Sequence, residues 1–175
     1  MSDLLSDDIA TVAEFLAHAL ELEVESAERY RELAHAMEVH NNAEVAALFH
    51  RLSVESDAHL ELVRQWGEGY ELPKIAPWDF KWSSPEGPES VSMTDTHYQM
   101  NRIQALQLAL HNEIRARDFY VQVAERASNA DVKRRAEEMA TEEDSHIGML
   151  KEMLDTESGD YQKPLEDLDP PNMPG

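Results

Sequence analysis

The two halves of this chain carry one pattern twice, and that repeat constrains the fold more than any other feature. ALELEVESAERY at residues 19–30 matches LALHNEIRARDFY at 108–120, each placing a glutamate seven residues before a tyrosine: Glu23 with Tyr30, and Glu113 with Tyr120. LSVESDAHLELV at 52–63 matches MATEEDSHIGML at 139–150, pairing Glu55 with Glu142 and His59 with His146. All four segments keep an apolar residue every three or four positions, the period of an amphipathic helix. Two helical hairpins of the same pattern, joined by a long crossover, predict an all-α four-helix bundle with approximate twofold symmetry.

That bundle is expected to occupy residues 1–155. Ser6, with Asp7 and Asp8 behind it, reads as the start of the first helix, whose stripe is Val12, Leu16, Ala19, Glu23, Ala27, Tyr30, Ala34 and Met37. His40, Asn41 and Asn42 make a turn. The second helix runs from about Ala43 to the break at Gly67 and Gly69, with Val45, Leu48, Leu52, Ser56, His59, Val63 and Trp66 in line. Residues 67–92 lack helical period and form the crossover. Trp78, Phe80 and Trp82 predict that it packs down on the bundle instead of hanging free. A third helix starts near Ser92 or Thr94, carrying Ile103, Leu106, Leu110, Glu113, Ala116 or Arg117, Tyr120, Val123 and Ala127. Ser128 and Asn129 turn the chain into the fourth helix, about Asp131 to Asp155. Residues 156–175 show no apolar face and read as a disordered tail.

Ionisable residues interrupt these greasy stripes at one level. Glu23, His59, Glu113, Glu143 and His146 all fall on inward faces. Unpaired, each would cost several kcal/mol in desolvation, of the order that buried charges carry. A metal ion is the compensation that suits carboxylate and imidazole together.

Composition narrows the chemistry. The chain of 175 residues has no cysteine, which removes disulfides, thiolate zinc sites and iron–sulfur clusters and leaves oxygen and nitrogen ligands. Its formal net charge of -21 repels nucleic acid and anionic membranes, so neither is an expected partner. MSDLLSDDIA lacks a basic region followed by an apolar core, and the expected location is cytoplasmic.

The E-x6-Y motif on helices one and three, with E-x-x-H on helix four, resembles the rubrerythrin-like branch of the ferritin-like superfamily over nearly all of residues 8–155. The resemblance implies a non-haem di-iron carboxylate site. Glu23 and Glu113 are then terminal ligands, Glu143 a bridging ligand, and His59 and His146 one nitrogen ligand for each metal. Two irons are expected, and manganese or zinc suit the same donors. Ser56 departs from the pattern, because a glutamate belongs three residues before His59. Glu55, one position earlier, substitutes after a small rotation of the helix, or else the site has lost one bridge. The resemblance also implies homodimers, oxygen or peroxide as oxidant, and an external electron donor, since no cysteines supply a rubredoxin-like centre. Tyr30 and Tyr120 are candidate catalytic residues, as hydrogen-bond donors to ligands or as one-electron donors, as well as packing residues.

Three functions compete on these grounds. The first is an oxidase or peroxidase that oxidises bound iron. The second is a protein that binds metal without turnover, which the loss of a glutamate at Ser56 favours. The third is a metal-free helical interaction scaffold. His18, His35, His50, His97 and His111 are assigned to the surface or rim.

Overall fold

A computed structural model describes residues 3–82 and 99–162. Helices α1 (Val12–Val39) and α2 (Ala43–Gly67) form one hairpin, and α3 (Arg102–Arg126) and α4 (Ala130–Gln162) form the other. Three of the four helices start where a side chain supplies what the backbone lacks. The Thr11 hydroxyl accepts from the Glu14 N–H at 3.1 Å. Asn101 and Gln104 satisfy each other's backbone N–H groups in a capping box at the head of α3. Asn41 turns the first hairpin with φ at 59°, a left-handed conformation that asparagine adopts more readily than most residues. The Asn129 carboxamide caps α4 by accepting from the Asp131 and Val132 N–H groups at 2.9 and 3.4 Å. Replacing it should cost about 1 kcal/mol, so thermal unfolding of Asn129→Ala is expected roughly 2–4 °C lower, metal loading being unaffected.

The predicted stripes point inward, and the all-α four-helix bundle is the fold observed. Its interior consists of two apolar clusters. One gathers Leu5, Phe15, Leu16, Leu22, Val63, Phe119, Tyr120, Val132 and Met139. The other gathers Tyr30, Leu33, Met37, Phe49, Leu52, Leu106, Ala109 and Leu150. On every helix the chain leaves one cluster and enters the other across a short gap, and the buried polar residues Glu23, Ser56, His59, Glu113 and Glu143 occupy that gap. The polar level is therefore sealed by hydrocarbon above and below, which strengthens electrostatics inside it.

Several boundaries differ from expectation. Ser6 does not begin α1. Leu4, Leu5 and Ile9 are buried in the first cluster, and Leu5 pairs with Trp82 in an isolated antiparallel bridge, with the Ser6 N–H donating to the Lys81 carbonyl at 2.8 Å. Burial of those apolar residues and pairing with the crossover outweigh the local capping signal. The third helix starts at Arg102 and not near Ser92 or Thr94, which lie outside the described residues, as do residues 83–91 of the crossover. α4 continues past Asp155 to Gln162, seven residues into the segment expected to be irregular, and residues 163–175 of that tail lie outside the described residues. The crossover aromatics split: Trp82 is buried and Phe80 partly so, whereas Trp78 is 83% exposed.

Candidate metal centre

Each hairpin delivers its polar residues to the same level because the repeat fixes their register. Glu23 comes from α1, His59 from α2, Glu113 from α3, and Glu143 and His146 from successive turns of α4. Glu143 is 0% exposed and sits at the centre. Its Oε1 lies 3.2 Å from His59 Nδ1 and its Oε2 4.0 Å from His146 Nδ1, so the two oxygens face different imidazoles. Glu23 Oε2 is 3.6 Å from His59 Nδ1. The two imidazole rings lie parallel, their centroids 4.6 Å apart and their planes at 4°. Among the described residues, His59, Glu143 and His146 bring ligand atoms within 4.8 Å of one another, as a shared cation would require.

The outer nitrogens are treated symmetrically. His59 Nε2 faces Glu142 Oε2 at 3.9 Å, and His146 Nε2 faces Glu55 Oε2 at 3.8 Å, each carboxylate coming from the opposite hairpin. Glu55 therefore enters the site, on the far side of the His146 ring from Glu143. Ser56 is buried and spends its hydroxyl on Ser26, Oγ to Oγ at 3.1 Å. That pair occupies the level where the repeat puts Glu143 in the other hairpin.

The tyrosines cross between hairpins. Tyr30 of α1 donates to Glu113 Oε1 of α3 at 3.1 Å, and Tyr120 of α3 donates to Glu23 Oε1 of α1 at 3.0 Å. Asn112 Nδ2 donates to the Tyr30 hydroxyl at 3.0 Å. Glu113 and Glu23 thus each have one oxygen held by a buried phenol, which fixes the rotamer, and the other Glu23 oxygen lies toward His59. For Glu23 that second oxygen, Oε2, is buried without a hydrogen bond, as are Glu55 Oε2 and His59 Nε2. Buried polar atoms are ordinarily satisfied, and Glu23 Oε2, on the inner side beside Glu143 and the imidazoles, is an oxygen that a cation there would satisfy. Oxygen and nitrogen donors with no sulfur fit iron, manganese or zinc.

Burial works against a charged His59, but the Glu23 carboxylate beside it, helped by Glu113 and Glu142, more than offsets this and raises its pKa above the ordinary 6.5. At 3.6 Å the Glu23 contact is longer than a hydrogen bond, so the effect is mainly one of charge. Because the folded pKa is raised, His59 adds stability to the metal-free protein that is complete below about pH 6.5 and is lost as pH rises through the folded value. A metal requires the neutral ring, so affinity should rise with pH across that same window. NMR titration of the metal-free chain should give a His59 midpoint above 6.5; a midpoint below it would contradict this electrostatic reading.

Asn112, Ser26, Glu142 and His18 carry structural weight that the sequence reading does not mark. For Glu142 the repeat, which pairs it with Glu55, carries the signal. His18, expected at the surface or rim, is fully buried. Its Nε2 accepts the Lys81 N–H at 2.9 Å, so Nδ1 bears the proton and donates to the Glu14 carbonyl at 2.9 Å. Phe80 and Trp82 pack edge-on against the ring, and burial holds its pKa below the ordinary value. What covers His18 comes from the crossover, 63 residues away in sequence, and no local pattern reports it. His35, His50 and His111 are exposed as expected, and His97 lies outside the described residues.

The rubrerythrin family model matches residues 14–102 and 104–171. A conserved protein of unassigned function from Magnetospirillum magnetotacticum MS-1 is 40% identical, over 83% of this chain and 95% of that one, with a TM-score of 0.66. The manganese catalase KatB from Anabaena shares 16% identity over 97% of this chain and 83% of its own, with a TM-score of 0.55. A second KatB structure, from Anabaena PCC7120, gives 17% identity and a TM-score of 0.54 over 96% of this chain and 83% of that one. At such identity the catalase likeness speaks for the fold alone. No curated protein matches the chain.

Proposed function

The chain belongs to the rubrerythrin family, and from that premise and the polar level of its core we propose that it holds two metal ions and oxidises ferrous iron with oxygen or peroxide. The observation that carries this reading is Glu143, whose two oxygens face the inner nitrogens of two different histidines. Glu143 would bridge, His59 and His146 would each bind one ion through Nδ1, and Glu23 and Glu113 would be the terminal carboxylates. Iron is the expected metal, and manganese or zinc are accepted by the same donors. When bound, the metal pair supplies the sites at which oxygen or peroxide is taken up and reduced.

The chain's own residues prepare that chemistry. Tyr30 and Tyr120 hold Glu113 and Glu23 in place and keep a phenolic proton within reach of each terminal carboxylate. The two apolar clusters exclude water from above and below. Glu55 and Glu142 face the outer nitrogens of the two histidines across the hairpins, an arrangement that orients imidazole ligands and raises their basicity, which makes Glu55 a supporting residue in place of a second bridge. The same reading takes the protein as cytoplasmic, as a homodimer, and as dependent on an external electron donor.

Ser56 favours a second reading, metal binding without turnover, because its hydroxyl is committed to Ser26 and offers nothing to a metal. Anaerobic ferrous loading followed by oxygen or peroxide decides between them. The expected result is rapid conversion of bound ferrous to ferric iron at a rate above that of free iron; equal rates would leave the protein a binder.

A further inference from the structure

A chain of aromatic rings leads away from the polar level. Tyr120, hydrogen-bonded to Glu23 Oε1, contacts Phe119 with ring centroids 5.6 Å apart. Phe119 contacts Trp82 at 6.0 Å, and Trp82 stacks on Phe80 at 4.5 Å with the planes at 2°. Tyr120, Phe119 and Trp82 are buried, whereas Phe80 is partly exposed on the crossover. The pseudo-equivalent Tyr30 leads elsewhere, stacking on Phe49 deep in the second cluster. The repeat therefore makes two similar tyrosines, and the crossover distinguishes one of them.

We propose that Tyr120 and Trp82 form a one-electron relay between the metal level and the crossover surface, the route by which an external reductant reaches the site. Indole and phenol are the side chains most easily oxidised by one electron, and phenol gives up its electron readily only when its proton can leave at the same time. Tyr120 has an acceptor for that proton in Glu23 Oε1 at 3.0 Å. In the proposed sequence one electron leaves Tyr120 toward an oxidising equivalent at the site, and the phenolic proton moves along the hydrogen bond to Glu23, leaving a neutral phenoxyl. One electron from Trp82, with return of the proton, restores the phenol. The Trp82 radical cation is then refilled by a one-electron reductant in solution meeting the Phe80 and Trp82 stack. Phe119 is not oxidised; it fills the space between the two redox rings and couples them. The relay rests on the proposed activity, in which peroxide or oxygen supplies the oxidising equivalent.

The test is made on the full-length chain without metal, so that its failure cannot be confused with failure to bind or oxidise iron. The chain has three tryptophans, and Trp66→Phe with Trp78→Phe leaves Trp82 alone. Azide radicals made by pulse radiolysis remove one electron from that indole. The expected result is a first-order approach of indolyl and phenoxyl absorption to equilibrium, at a rate independent of protein concentration; this is the Trp82-to-Tyr120 transfer observed in reverse, through the same coupling. Tyr120→Phe should abolish the phenoxyl growth, Trp82→Phe should remove its source, Tyr30→Phe should leave it unchanged, and Phe119→Leu should slow it while both end rings remain. Unchanged growth in Tyr120→Phe, growth that depends on protein concentration, or no growth in the parent would each overturn the relay. Thermal melts identify any variant that fails to fold, and the Phe119→Leu comparison tests the proposal even if a Trp82 variant is lost.

Discussion

Glu143→Gln is expected to weaken metal binding about 100-fold or more and to leave the metal-free bundle at least as stable as before. The amide keeps the shape of the side chain but replaces one anionic oxygen with a nitrogen that cannot bind a cation. The proposed bridge between the two histidines is thereby broken. Loss of residues that merely support ligands costs 10–100-fold in affinity, so loss of a bridging ligand should cost about 100-fold or more, roughly 2.7 kcal/mol. Without metal the sign is different. Glu23, Glu113 and Glu143 bring three buried carboxylates against two imidazoles, and neutralising one lessens their mutual repulsion and removes a desolvation penalty. If Glu143 served instead as half of a structural ion pair with His59, the same substitution would destabilise the protein by about 3–5 kcal/mol whether or not metal was present. Thermal melts of the two proteins, each with and without metal, separate these accounts.

Removing metal from the wild-type protein should lower its melting temperature by about 8–16 °C. A ligand at about a thousand times its dissociation constant stabilises the folded state by about 4.1 kcal/mol. For a chain of this size each kcal/mol shifts the midpoint by roughly 2–4 °C. Dialysis against a chelator, followed by a melt and then readdition of ferrous or manganous ion, should show the loss and its recovery. In Glu143→Gln, with affinity about 100-fold lower, the ion stands at about ten times its dissociation constant, and the shift should fall to about 1.4 kcal/mol, roughly 3–6 °C. A wild-type melt that does not respond to the chelator would mean that the polar level is compensated within the chain, as the scaffold reading holds.

Much of this architecture was legible because the sequence repeats. Glu23 and Tyr30 with Glu113 and Tyr120, and His59 with His146, could be placed on inner faces by helical period alone, and the structure brings the glutamates and histidines to one level with the tyrosines in the apolar clusters on either side. Periodicity says which face a residue occupies, but not what stands opposite. It therefore showed neither that the phenols cross to the other hairpin's glutamates nor that Ser56 closes on Ser26. Glu55 illustrates the limit: its offset of four from His59 allowed it to enter the site, while the side of the imidazoles it meets depended on how α2 packs against α4. The irregular segments were least legible. Ser6 looked like a cap because capping is a local signal, and it was overruled by burial of Leu4 and Leu5 and by pairing with Trp82. His18 was assigned outward for the same reason, since the Phe80 and Trp82 rings that bury it belong to the crossover.

In the proposed centre two metal ions share Glu143. Anaerobic titration of the metal-free chain with ferrous iron, read by elemental analysis after removal of free ion, tests it most directly. The wild type should saturate at two irons per chain, and Glu143→Gln should need at least about 100 times more free iron for the same loading. Saturation of the wild type at one iron or none would contradict it.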